Sequence, residues 1–138
     1  DPLKKMSKSD PAGCLFLDDS PEEVRAKIGR ATTDSGSEVR FDPEGKPGVS
    51  NLLRIHSALS GRPVAKLETE FSGKNYSYFK TAVAETAVQA LAPYRENKKK
   101  LAKSKAKLAS VLKAGSAKAA KRAEKTLSRA KKAVGLTG

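Results

Sequence analysis

The stretch GVSNLLRIHSALS, residues 48–60, decides the fold, because its apolar side chains recur at helical spacing. Side chains three and four positions apart share one face of a helix, so this pattern predicts a helix with one buried side. The buried side consists of Val49, Leu52, Leu53, His56 and Leu59, widened by Ile55 and Ala58. We expect this helix to end at Gly61, since glycine is the common residue just after a helix.

Helical patterns continue on both sides of this stretch. Ser20, Pro21 and Glu23 predict a capped helix start, and Pro63 opens a shorter helix that ends before Ser72. A longer helix then follows, with an inward stripe of Tyr76, Phe79, Val83, Ala87 and Leu91. Residues 1–19 and 32–47 are rich in turn-forming residues and predict loops, the second with room for one short strand. The sequence therefore predicts an all-α fold in one folding unit.

Pro93 interrupts the longer helix in sequence. It removes one backbone donor, but residues 94–103 favour a helix, so we expect a kink and not an end. Apolar residues at helical spacing then continue to Gly115, and a second stripe runs from Ala120 to Gly135. The last forty residues are therefore predicted to be helical.

Charge is distributed very unevenly along the chain. Residues 1–94 hold 13 Lys or Arg and 13 Asp or Glu, whereas residues 95–138 hold 15 basic residues and only Glu96 and Glu124. The whole net charge of +13 therefore lies in the last third. Such a segment favours a polyanionic partner, because binding phosphates releases condensed counterions.

Several classes of protein are disfavoured. The single cysteine, Cys14, forms no internal disulfide, and no apolar run reaches the ~20 residues that a membrane span needs. We expect a cytoplasmic protein that does not enter the membrane. The chain does not begin with Met, which predicts that it is part of a longer protein.

Residues 5–9 read KMSKS, and this loop resembles the short signature of class I aminoacyl-tRNA synthetases. The resemblance extends through KSDP at 8–11, ATTDS at 31–35, VRFD at 39–42, PGVSNLL at 47–53, SG at 60–61, GK at 73–74 and VGL at 134–136. In order and spacing these segments are similar to the tryptophanyl-tRNA synthetase family. Tyrosyl-tRNA synthetase shares the architecture and is the closest alternative.

The resemblance implies a tryptophan–tRNA ligase that uses ATP with Mg²⁺, acts on tRNA(Trp), works as a homodimer and binds no metal through the protein itself. Lys8 and Lys5 would be catalytic, and Met6, Ser7 and Ser9 would complete the ATP-binding loop. Lysine ammonium groups on such a loop stabilise the negative charge that builds on the departing pyrophosphate.

The resemblance also divides the chain into residues 1–19, a KMSKS loop and linker from the catalytic domain, and residues 20–138, a helical domain facing the anticodon arm of tRNA. The family's nucleotide-binding domain and tryptophan pocket are absent from this stretch, so the chain alone is expected to be inactive. Candidate tRNA contacts are Arg95, Lys98, Lys99, Lys100 and Lys103.

Four other polar or titratable residues are interpreted as structural and not as catalytic. His56 lies on an apolar stripe and is expected to be a hydrogen-bonded core histidine, and Cys14 a packed thiol. Asp34 and Asn51 are expected to cap helices or fix turns. A different class of function also remains open, a non-catalytic, lysine-rich nucleic-acid-binding protein, which would account for the tail and leave the first 94 residues unexplained.

Overall fold

The computed structural model describes residues 2–3, 6–7 and 9–136. Within these residues, a short 3₁₀ turn at Pro11–Gly13 is followed by five helices: α1 (Pro21–Arg30), α2 (Pro47–Ser60), α3 (Val64–Phe71), α4 (Tyr76–Lys103) and α5 (Lys105–Ala133). The described residues contain no strand, so the predicted all-α class is confirmed and the short strand allowed between residues 32 and 47 is wrong.

Side chains, and not a neighbouring strand, satisfy backbone donors in the loop between α1 and α2. The N–H of Phe41 donates to Glu68 Oε1 at 2.6 Å, and the N–H of Asp42 donates to Ser50 Oγ at 2.8 Å. Because these donors already have partners, the alternation around Val39 and Phe41 does not lead to strand pairing.

The chain divides into two compact units, Asp1–Arg95 and Glu96–Gly138, where its length had suggested a single folding unit. The division falls within α4, which does not end at Pro93. The first unit holds the hydrophobic core and the second consists of the end of α4 together with α5 and the residues after it.

The core of the first unit is formed by α1 to α4. Its largest fully buried side chains include Phe71 and Phe79, whose rings meet edge to face with centroids 5.1 Å apart. Leu53, Leu67 and Val83 surround them. Aromatic pairs in this geometry add to the stabilisation from buried apolar area, so this cluster fixes how α2, α3 and α4 pack.

Local sequence signals place the helix ends correctly. At α1, Ser20 Oγ accepts from the N–H of Glu23 and Glu23 Oε2 accepts from the N–H of Ser20, which is the predicted capping box. Helix α2 ends at Gly61, which has a φ of 70°, a left-handed conformation that glycine adopts without strain. Both predictions are confirmed.

One side of α2 is less covered than the sequence indicated. Leu59, predicted to face inward, is 36% exposed, and Ala58 is exposed as well. The prediction of burial at these two positions is therefore wrong, because this side of α2 borders an open cavity.

His56 is buried in the first unit and has a structural role, as predicted. Its Nε2 lies 3.0 Å from Thr86 Oγ1, and its ring lies 5.6 Å from the ring of Phe71. Its Nδ1 is buried without a hydrogen-bond partner among the described residues. Burial lowers the pKa of His56, and the nearby positive charge of Arg62 lowers it further.

This lowered pKa predicts loss of stability at acidic pH. The unfolded chain binds the proton more readily, so the contribution of His56 is complete above the ordinary histidine pKa and is lost as pH falls below it. We expect the urea concentration at the unfolding midpoint to be lower at pH 5 than at pH 7. The free energy of unfolding should decrease by at most about 1.4 kcal/mol per pH unit through this group. His56→Gln, which retains an acceptor or donor towards Thr86, should show a smaller fall, and an equal fall would contradict the assignment.

In the second unit, α5 continues without interruption through Gly115 and ends in a Schellman motif. Gly135 has a φ of 75°, the N–H of Leu136 donates to Lys131 O at 2.8 Å, and the N–H of Gly135 donates to Lys132 O at 3.2 Å. The basic tail is therefore helical, as predicted. None of the helices among the described residues combines the length and the apolar character of a transmembrane segment.

Candidate functional site

The KMSKS loop is partly described by the structure. The N–H of Ser9 donates to Ser7 Oγ at 3.3 Å, the N–H of Asp10 donates to Ser7 O at 3.0 Å, and the Met6 side chain is 63% exposed. Lys5 and Lys8, the predicted catalytic residues, lie outside the described residues. Ser7 and Ser9 thus belong to a compact turn with short hydroxyl side chains available to an anion.

The thiol of Cys14 links this turn to the body of the first unit. Its Sγ lies 3.2 Å from Ser7 O and 3.5 Å from Asp10 O, within the range of a weak thiol hydrogen bond. Cys14 is 2% exposed, which confirms the predicted packed thiol. A buried side chain therefore anchors the C-terminal end of the loop.

A cavity of about 660 Å³ opens beside the loop. Met6, Ser7 and Asp10 form one rim, and the opposite wall comes from α2 and α4, including Ile55, Leu59, Ala87 and Leu91. Pockets of this volume are typical of small-molecule sites, in which apolar walls surround a few polar groups. The loop therefore lies where its polar atoms could contact a ligand held against α2.

The exposed side of α2 is the part of this cavity that sequence reasoning missed. Asn51 lies inside α2, is exposed and lines the cavity together with Ile55 and Ala58, so the expectation that it caps a helix or fixes a turn is wrong. A signal was present, since the apolar stripe of α2 is wider than one buried face requires. An apolar stripe of this width predicts a second contact surface.

Asp34 anchors the long loop between α1 and α2 to the start of α4. Its carboxylate accepts from Tyr76 OH at 2.8 Å, from Lys46 Nζ at 3.1 Å and from the N–H of Gly36 at 2.8 Å. Burial alone raises the pKa of Asp34, but the bonds from Tyr76, Gly36 and Lys46 together hold it below its ordinary value. The turn-fixing interpretation of Asp34 is therefore confirmed.

Removing the Tyr76 hydroxyl tests this anchor. Tyr76→Phe leaves one bond of the Asp34 carboxylate unmade in a partly buried cluster, so we expect a loss of about 1–3 kcal/mol in the free energy of unfolding. Tyr78→Phe is the matched control, because Tyr78 is exposed and its hydroxyl makes no hydrogen bond within the described chain. Urea unfolding of both variants measures the difference, and equal stability would show that the Tyr76 hydroxyl contributes nothing.

The candidate tRNA contacts fall into two groups. Arg95 belongs to the first unit and is half-buried, with its guanidinium donating to Val88 O at 2.8 Å and lying 3.4 Å from Asp19 O. Asp19 is itself buried and pairs with Lys27 at 2.7 Å. Arg95 therefore already holds α4 to the segment before α1, which limits its availability to a phosphate.

The four lysine candidates belong to the second unit and are all exposed. Lys99 Nζ lies 3.4 Å from Glu96 Oε1, one turn earlier on α4, and Lys98 also has an interaction within the chain. Lys100 borders a shallow hollow with Leu101, Ser104 and Lys107. Exposed ion pairs such as Lys99–Glu96 contribute little stability, so the Lys99 ammonium group can turn to a polyanion at low cost.

The described residues form helices, and Ser7 and Asp10 lie at the rim of a cavity whose opposite wall is apolar. No three His, Cys, Asp or Glu side chains come together as metal ligands in the ranges the structure describes. The model of the tRNA synthetases class I (W and Y) family matches residues 1–92. The chain belongs to this family.

Individual relatives make the likeness more specific. The chain is 46% identical to the tryptophan–tRNA ligase of Leifsonia xyli over 97% of its length, and 44% identical to that of Bacillus subtilis over 99%. It spans 40% and 42% of those two proteins. It is also similar to the crystal structure of tryptophanyl-tRNA synthetase from Mycoplasma pneumoniae, with a TM-score of 0.80 and 36% identity, covering 99% of this chain and 42% of that one.

The predicted resemblance is thereby confirmed over the whole chain, and the tyrosyl alternative is not favoured. The chain spans about 40% of the length of the curated relatives it matches. It corresponds to a helical part of such a synthetase.

Proposed function

We propose that this chain is the part of a tryptophan–tRNA ligase that supplies the ATP-phosphate loop and the tRNA-binding helices. The observation that carries the proposal is the turn at Ser7 and Ser9, held by Cys14 at the rim of the cavity beside α2. In this proposal residues 1–19 serve ATP and residues 20–138 face tRNA, a functional division that differs from the two compact units Asp1–Arg95 and Glu96–Gly138. We place the enzyme in the cytoplasm as a homodimer.

The proposed chemistry has two steps. The carboxylate of tryptophan attacks the α-phosphorus of ATP to give the adenylate and pyrophosphate, and a terminal ribose hydroxyl of tRNA(Trp) then takes the acyl group. Lys5 and Lys8 stabilise charge on the departing pyrophosphate, while Ser7 and Ser9 donate to phosphate oxygens. Mg²⁺ fits this scheme as an ion brought in by ATP, since its usual partners are substrate phosphates with one or two carboxylates.

The 138 residues correspond to only about 40% of the relatives' length, so we expect them not to form the adenylate alone. Binding of tRNA can nevertheless be measured on the chain itself. The first test compares tRNA(Trp) with the same tRNA carrying an altered anticodon, across a salt series. Preference for the native anticodon that persists as salt rises supports the proposal. Equal and steeply salt-dependent binding to both would remove anticodon recognition from this chain.

The lysines at the end of α4 make a second, separate prediction. Replacing Lys98, Lys99 and Lys100 together by Gln should weaken tRNA binding and reduce the slope of log affinity against log salt by roughly 2 to 3, because each phosphate contact contributes almost one unit. The control removes equal charge from the first unit, with Gln at Arg30, Lys66 and Lys74. Unchanged affinity of the Lys98–Lys100 variant at low salt would eliminate these residues as tRNA contacts.

A further inference from the structure

Helix α5 is a second basic feature, which follows the lysines at the end of α4. Its 29 residues include ten Lys or Arg and one carboxylate, Glu124. No side chain of α5 is buried, and the charge of the helix is almost entirely positive. Such a helix favours an external partner of opposite charge.

The basic residues of α5 are not spread evenly around the helix. Residues three, four or eleven positions apart lie on the same face of a helix. Six basic residues of α5 have these spacings, and we call them the cationic ridge: Lys107, Lys118, Lys121, Lys125, Arg129 and Lys132. At 1.5 Å per residue, the ridge extends over about 37 Å. Leu112, Leu127 and Val134 fall on the opposite side.

The ridge is electrostatically uncompensated. Over residues 9–136, none of its six side chains pairs with a carboxylate, and Glu124 falls outside the ridge on the helical wheel. Six like charges on one face repel one another, and pairing them with phosphates is favourable because it releases the counterions condensed on a nucleic acid. The face therefore complements a linear polyanion.

We propose that α5 binds the phosphate backbone of double-stranded nucleic acid through this cationic ridge, irrespective of sequence. Five of the six ridge residues are lysines, which act as point charges and do not read bases in bidentate fashion. Helix α5 contains no Phe, Tyr or Trp on which unpaired bases could stack, so it is poorly suited to single strands. The inference does not depend on the ligase function.

The experiment measures binding of the 138-residue chain to fluorescein-labelled duplexes of about 20 base pairs, one RNA and one DNA, both unrelated to tRNA. Anisotropy is followed between about 50 and 200 mM KCl, the range in which phosphate contacts are most visible. The ridge variant carries Gln at Lys118, Lys121 and Lys125. The matched control removes the same charge from the same helix, off the ridge, with Gln at Lys105, Lys113 and Lys131.

We expect both duplexes to bind with similar affinity, and the ridge variant to bind about ten-fold or more weakly at the lowest salt, with a salt slope reduced by roughly 2 to 3. The off-ridge control should lose markedly less. Circular dichroism of both variants checks that α5 remains helical, and a second ridge variant, Lys118→Arg/Lys121→Arg/Lys125→Arg, should retain binding.

Four results would overturn the proposal. Equal losses in the ridge and control variants would mean that only net charge matters, and absence of duplex binding at about 50 mM KCl would remove the site. If the chain instead prefers tRNA(Trp) to both duplexes and loses that preference in the ridge variant, the result would assign the ridge to specific tRNA recognition. Binding to phosphatidylserine vesicles that depends on Leu112 and Leu127, with none to duplexes, would identify a membrane surface.

Discussion

Gly48→Ala is expected to destabilise the first unit severely. A methyl group at this position would come within 2.1 Å of Thr32 O and 3.2 Å of Thr33 Cα. These neighbours are backbone atoms, so relief requires α2 or the loop after α1 to move. Overpacking normally costs about 1–3 kcal/mol, and we expect at least the upper end of that range because no flexible side chain can yield.

The matched control is Gly115→Ala, since an added methyl group there meets nothing within 4 Å. In the interior of α5 this change should stabilise the helix by about 1 kcal/mol or less. All three tyrosines lie in residues 1–95, so tyrosine fluorescence during urea unfolding reports on the first unit alone. If Gly48→Ala unfolds at the same urea concentration as the wild type, α2 can move away from Thr32 without loss of stability, and the prediction is wrong.

Lys8→Ala is expected to have the largest effect on activity. In the full-length ligase to which we propose this chain belongs, we expect tryptophan-dependent pyrophosphate exchange to fall by about 10²–10³-fold, the effect typical of losing one group that stabilises transition-state charge. The fall should appear in kcat more than in the KM for tryptophan, because we propose that Lys8 stabilises charge on the departing pyrophosphate.

Lys66→Ala serves as the control for this experiment. Lys66 is an exposed residue of α3 and has no part in the proposed site, so exchange should continue at the wild-type rate. Exchange at full rate in Lys8→Ala would rule out the catalytic assignment of Lys8. It would leave the tRNA-binding and ridge proposals standing, because those are measured by binding.

Sequence patterns were most informative where the controlling interactions are local. The capping box at Ser20 and Glu23 joins residues three apart, and the glycine that ends α2 acts through its own backbone. The division of charge at about residue 95 is a property of composition, and the KMSKS loop is a contiguous motif. Each of these features can be predicted without knowing which helices meet.

Predictions failed where they required knowledge of the neighbours of a helix face. Leu59 shares an apolar stripe with Leu52 and Leu53, but it borders a cavity while they lie in the core. Arg95 looked like a free cation in a basic segment, yet its guanidinium binds carbonyl oxygens of Val88 and Asp19. Periodicity identifies an apolar face but not what covers it.

The sequence by itself determined the helical class, the main helix ends, the basic tail and the family likeness, because these depend on local spacing and composition. Only the tertiary structure decided that Asp34 meets Tyr76, 42 positions away, and that Gly48 packs directly on Thr32. Such contacts depend on the relative placement of whole helices. That placement is set by the joint packing of the core around Phe71 and Phe79, which no local pattern specifies.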